Sequence, residues 1–273
     1  MDCAEVGILG FHYLIRFNNR HVEMNCRLPF FVVLTVLLIA VGCNPPVVSI
    51  PPTGQLPEHT AGLHRESISV PEVGTVKYAI RVDENYEKSV PAPIILVLHW
   101  GYAGSRPDAY TGADMLETFI DGVTEVGGIA IAPDAVGGDW RSADNERSAI
   151  WLLQSAMKTY NIDSTQVYVT GFSMGGEGTW FLAGRHQDLF TGAIPVAAPV
   201  TGTTELKIPV YAVHSRNDEI ASYSSAKSHT DAVRSAGGTV ELKTITGLTH
   251  YDAGSYGSHV AEGVKWIRGL KSL

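Results

Sequence analysis

From residue 67 onward, short runs rich in Val and Ile alternate with amphipathic stretches of helical period, and this alternation constrains the fold most. Strands are predicted over residues 75–82, 94–99, 128–133, 166–171, 193–197, 210–214 and 239–244. Most of these runs lack strict apolar/polar alternation, as expected of strands buried on both faces. Helices are predicted over 108–125, 145–160, 175–184, 224–237 and 258–270, with Gly127-Gly128 and Gly237-Gly238 stopping two of them. Residues 163–165 read as the turn into a strand. Repeated strand–helix alternation implies an α/β fold: one doubly wound, mainly parallel sheet with helices on both faces. No internal repeat is visible.

One connection carries chemistry. In the stretch QVYVT-GFSMGG-EGTWFLAGR, Gly171-Phe172-Ser173-Met174-Gly175 lies between a predicted strand and a predicted helix. A bare G-x-S-x-G is a weak signal, but a strand feeding a sharp turn at the serine and a helix leaving at once make it specific. The turn brings strand and helix backbones together, so positions 171 and 175 require small residues, and Gly176 and Gly178 extend the clearance. The bland alternative is a glycine-rich connection with an incidental serine.

Here the chain resembles the α/β-hydrolase superfamily, over about residues 67–270. GFSMGGEGTW, with HWGYAG upstream, looks most like its cutinase, polyester-hydrolase and feruloyl-esterase-type branches. The resemblance implies that an acid and a histidine follow the serine in chain order. Asp218, in the loop after strand 210–214, stands where the family keeps its acid; His250, after strand 239–244, stands where it keeps its histidine. His250 would take the serine proton and later protonate the leaving group, while Asp218 would hold the tautomer and stabilise the imidazolium. Glu219 is a rival acid. Asp252 is too close to His250 in sequence for the usual arrangement, His214 ends a strand as a structural residue would, and His259 opens the last helix as a cap-side residue.

An oxyanion hole needs two backbone N–H groups. Met174 supplies one by its place after the serine. Matching Gly101-Tyr102-Ala103-Gly104 to the G-Y-x-G loop of cutinase-like enzymes makes Tyr102 the second, with Trp100 an alternative because it stands between His99 and Gly101. Tyr102 and Trp140 are candidate aromatic walls for a substrate; the competing reading of Trp140 is that it packs its own loop. Trp151 and Trp180, inside helices, read as core.

The segment 28–41 (LPFFVVLTVLLIAV) follows Arg27 and ends at Gly42-Cys43, too short for a comfortable membrane span but suited to a signal-peptide core. Ala40-Val41-Gly42-Cys43 resembles a bacterial lipoprotein cleavage box, with Ala40 where Leu is usual. That resemblance implies lipidation of Cys43, an exported protein that is lipid-anchored at the cell envelope or else secreted, and membrane contact only through that anchor, with an uncleaved signal anchor as the alternative. Met24 would open a signal of ordinary proportions. The expected organisation is thus a targeting segment at 1–42, a proline-rich tether at 43–62 and a catalytic domain at 63–273. Cys3 and Cys26 leave with the signal, so no internal disulfide is expected.

Net charge is −8 with no basic block, which argues against a nucleic-acid partner. No metal-binding spacing, Walker loop or dinucleotide fingerprint is present, and serine hydrolysis needs no cofactor. The connection between residues 197 and 210 is too short for a cap domain, so the site is expected to be open and suited to bulky, aromatic or polymeric esters. The expectation is a monomeric carboxylic-ester hydrolase. A prolyl-oligopeptidase-type serine peptidase, a thioesterase or lactone hydrolase, and a catalytically silent surface binding module are the alternatives.

Overall fold

The computed structural model describes residues 48–101, 111–200 and 202–270. An eight-stranded sheet forms its centre, in the order β1-β2-β4-β3-β5-β6-β7-β8. The strands are β1 (Gly62–Val70), β2 (Gly74–Val82), β3 (Ala92–Leu98), β4 (Ile129–Pro133), β5 (Ile162–Phe172), β6 (Gly192–Val196), β7 (Val210–Ser215) and β8 (Val240–Ile245). The two strands β1 and β2 run antiparallel to their neighbours; from β4 to β8 every pairing is parallel.

The helices divide between the two faces. Residues Ile94, Leu96 and Leu98 of β3 point into one core with Ile150, Leu153 and Ala156 of α3 (Ala143–Thr159) and Phe181 and Leu182 of α4 (Met174–Arg185). Ile95 and Val97 point into the other, with Met115 of α1 (Thr111–Thr118), Val123 of α2 (Ile120–Val126) and Val264 of α6 (Gly257–Leu270). Val233 of α5 (Tyr223–Ser235) joins the first core. A strand packed on both faces reads as a continuous apolar run because neither pleat direction reaches water. The expected doubly wound α/β sheet is therefore observed.

The differences have local causes. β1 was not foreseen: His64, Arg65 and Glu66 interrupt any apolar run on this antiparallel edge, where both faces are covered only in part. The helix expected over 108–125 is two helices. Phe119 (φ −103°, ψ 28°) breaks it, and its ring is fully buried edge-on to Phe172 at a centroid distance of 6.4 Å. Residues 163–165 are not a turn ahead of the strand but part of β5, in an irregularity where the register against β3 slips between Ala92 and Ile94. Asp163 Oδ1 there accepts the Thr165 N–H (2.9 Å).

The described part of the proline-rich segment is not a free tether. It holds no regular element up to residue 60, yet it is pinned along α3 and its exit. Trp151 Nε1 donates to the Pro52 carbonyl (3.0 Å), the Leu56 N–H to Thr159 Oγ1 (3.0 Å) and the His59 N–H to the Tyr160 hydroxyl (3.0 Å). Leu56 is buried in the first core. The apolar run 28–41 and Cys43 lie outside the described residues; among those described, no helix is long and apolar enough to cross a membrane.

Candidate active site

β5 ends at Phe172 and α4 begins at Met174, so Ser173 is the whole connection. Its backbone is forced to φ 56°, ψ −116°, a conformation costing roughly 1–3 kcal/mol that surrounding structure must impose. The Ser173 N–H donates to the Val196 carbonyl of β6 (3.0 Å), and the Ser173 carbonyl accepts the Glu177 N–H of α4 (2.9 Å). The glycines fulfil the requirement read from sequence. A Cβ on Gly171 would strike the Gly175 carbonyl, and one on Gly175 would strike the Leu98 carbonyl. A Cβ on Gly178 would fall 2.8 Å from Cγ of Trp140. Strand, turn and helix pack backbone to backbone, and Ser173 is left partly buried at the carboxyl edge of the sheet.

The loops after β7 and β8 open at the same edge. They bring Asp218 and His250 to Ser173: His250 Nε2 lies 2.8 Å from Ser173 Oγ, and His250 Nδ1 lies 3.0 and 2.9 Å from the two Asp218 carboxylate oxygens. A carboxylate can only accept, so Nδ1 carries the proton and Nε2 is the acceptor for the serine hydroxyl. Asp218 Oδ1 also accepts the N–H groups of Ile220 (2.9 Å) and Ala221 (2.7 Å), and the side chain is fully buried. The arrangement can pass a proton from Oγ to an imidazole whose tautomer is fixed.

Three bonds lock the acid loop to the histidine loop, and sequence reasoning missed all of them. Ser215 Oγ donates to the Leu248 carbonyl (2.6 Å), Asn217 Oδ1 accepts the Gly247 N–H (2.7 Å), and Glu219 Oε2 accepts the His250 N–H (3.1 Å). Glu219 therefore holds the backbone of His250 while Asp218 holds its ring. Asp252 accepts from the N–H and hydroxyl of Thr249 (both 2.7 Å). His214 is buried, bonded through Nε2 to the Ala221 carbonyl (2.9 Å), and 3.6 Å from Oδ2 of Asp218. His259 pairs with Glu262 on α6 (3.2 Å).

Trp140 requires a correction. Its ring is fully buried, and Nε1 donates to the His99 carbonyl (2.9 Å), so it offers no surface to a substrate and packs its loop against the end of β3. Tyr102 lies outside the described residues. Met174 is the first residue of α4, where a helix leaves N–H groups without intrahelical acceptors. Among the described residues, no group of His, Cys, Asp and Glu is arranged to hold a metal ion.

His99, whose importance was not legible, organises the turn after β3. Its Nε2 accepts the Ala135 N–H (3.0 Å), which leaves Nδ1 to donate to the Trp100 carbonyl (2.6 Å). Protonating Nε2 would break the first bond. Burial pulls this imidazole down to about 4, outweighing the opposing bond to Trp100. In the unfolded chain it titrates near the ordinary value of 6.5. Between these values the unfolded state binds more protons, so stability is complete above pH 6.5 and is lost as pH falls towards 4, by about 3 kcal/mol in full. Burial lowers His214 and His229 as well, adding in the same direction. Urea unfolding is expected to show a lower stability at pH 5 than at pH 7; a flat profile over that range would overturn the account.

A mainly parallel sheet with α-helices on both faces and a strand–serine–helix turn at its carboxyl edge defines an α/β-hydrolase fold. Within that class the chain belongs to the Dienelactone hydrolase family, whose sequence pattern matches residues 97–256. The bifunctional acetylxylan esterase/xylanase XynS20E of Neocallimastix patriciarum is 32% identical over 75 residues, covering 26% of this chain and 11% of that one. Feruloyl esterase C of Emericella nidulans is 24% identical over 156 residues, 55% of each chain. The chain thus spans less than two thirds of the curated relatives it matches. A thermostable esterase shares the fold at 20% identity with a TM-score of 0.61, over 76% of this chain and 62% of that one.

Proposed function

We propose that the protein is a serine carboxylic-ester hydrolase working through an acyl-serine intermediate. The observation that carries this reading is the continuous line from Ser173 Oγ to His250 Nε2 (2.8 Å) and from His250 Nδ1 to Asp218 (2.9 Å). Ser173 Oγ attacks the ester carbonyl as its proton passes to Nε2. The imidazolium, stabilised by the Asp218 carboxylate, returns that proton to the departing alcohol oxygen. Water then attacks the acyl-serine with His250 as base, releasing the acid and restoring the hydroxyl. The Met174 N–H, at the positive end of α4, stabilises the oxyanion together with the Tyr102 N–H.

The acetylxylan and feruloyl esterases among the relatives support bulky or aromatic esters as the substrate class. The lipoprotein-like box supports export with Cys43 as a lipid anchor; that the enzyme is a monomer, touches the membrane only there and works without a cofactor is part of the same proposal. Hydrolysis of p-nitrophenyl acetate, butyrate and palmitate tests the reaction. Activity that falls with acyl length is expected; a folded protein inert towards all three would turn the reading towards peptide substrates.

A further inference from the structure

Among the described residues four large apolar side chains stand far out in solvent: Val90, Val136 (42% exposed), Ile220 (58%) and Tyr251 (77%). Isolated exposed apolar residues are ordinary, but a concentration of them marks a contact surface. Val90 precedes β3 at the amino edge of the parallel strands. The other three follow β4, β7 and β8, at the carboxyl edge where Ser173 follows β5. Two of them adjoin the triad in the chain. Ile220 donates its N–H to Asp218 (2.9 Å), and the Tyr251 ring stands perpendicular to the His250 imidazole with centroids 6.2 Å apart. The bond from the His250 N–H to Glu219 (3.1 Å) ties together the two loops that carry Ile220 and Tyr251. Among the described residues, the contact with the His250 imidazole leaves most of the Tyr251 ring in solvent.

The chemistry gives this position a meaning. The acyl carbon becomes bonded to Ser173 Oγ, whereas the departing alcohol oxygen must come within hydrogen-bond reach of His250 Nε2 to receive its proton. The Tyr251 ring stands against that same imidazole and is otherwise in solvent, where an alcohol moiety passing His250 could meet it. We propose that Tyr251, with Ile220 on the neighbouring loop, is a platform for the alcohol moiety and selects esters of aromatic or bulky apolar alcohols. This inference rests on the serine-hydrolase reading and deepens it. Tyr251 acts only until the alcohol leaves, so the acyl-serine is hydrolysed without its help.

The test uses methyl, benzyl and naphthylmethyl acetate, whose alcohols are similar in acidity, and p-nitrophenyl esters of increasing acyl length. For Tyr251→Ala the ratio of kcat/KM for naphthylmethyl over methyl acetate is expected to fall about tenfold, the size of a lost aromatic contact. The acyl-length preference is expected to stay as in the parent, and Tyr251→Phe to keep the parent ratio because the ring face makes the contact. An equal loss on methyl and naphthylmethyl acetate, or a shifted acyl preference, would overturn the proposal. Ser173→Ala, assayed on the same esters, separates the two ideas: wild-type turnover there would remove the serine-hydrolase reading itself.

Discussion

Ser173→Ala is expected to lower kcat for ester hydrolysis by about six orders of magnitude, the scale on which triads fail when the nucleophile is removed. The substitution deletes the one oxygen 2.8 Å from His250 Nε2, and no other hydroxyl among the described residues bonds to that nitrogen. Folding should survive. Alanine meets the same cost as serine at φ 56°, and the bonds fixing the turn, from the residue 173 N–H to Val196 and from its carbonyl to Glu177, are backbone bonds. The melting temperature is therefore expected to stay within a few degrees of the parent. Substantial turnover by a folded Ser173→Ala protein would contradict the assignment.

Asp218→Asn should cost about four orders of magnitude in kcat, by a route the geometry specifies. Oδ1 of Asp218 takes the Ile220 and Ala221 N–H groups, so an asparagine would keep its carbonyl oxygen there. Its NH2 group would then face His250 Nδ1 from the position of Oδ2, now 2.9 Å away. That pairing requires an unprotonated Nδ1, which places the proton on Nε2 and removes the acceptor for the serine hydroxyl. Glu219 cannot take over, because its carboxylate holds the His250 N–H (3.1 Å) and not the ring. Glu219→Gln preserves an acceptor oxygen at that bond and should cost less than about tenfold. A larger loss from Glu219→Gln than from Asp218→Asn would exchange the two roles.

The parallel sheet was legible because a strand buried on both faces is apolar over its central stretch, as residues 94–98 and 167–169 are. Asp218 and His250 were expected from the resemblance to the α/β-hydrolases; the strand pattern adds only that the loops carrying them leave parallel strands at the edge where Ser173 lies. What failed to show was whatever depended on a distant partner. Trp140 was open to both readings, a substrate wall because it follows a strand at the serine's edge of the sheet and a loop-packing residue; what decides between them, its bond to the His99 carbonyl, lies 41 positions away. The described part of the proline-rich stretch holds no regular element, but its attachment depends on Trp151, Thr159 and Tyr160, about a hundred residues on in the sequence. Glu219 looked like a spare acid because composition cannot distinguish a carboxylate that holds a ring from one that holds a backbone.

The central claim is that an ester carbonyl becomes bonded to Ser173. Its most direct test is intact-protein and peptide mass spectrometry after rapid acid quenching of the enzyme during turnover of p-nitrophenyl butyrate. A single added butyryl group on the peptide that contains Ser173, absent from Ser173→Ala, is the predicted result. Full turnover with no adduct on Ser173, or an adduct that persists when Ser173 is replaced, would contradict it.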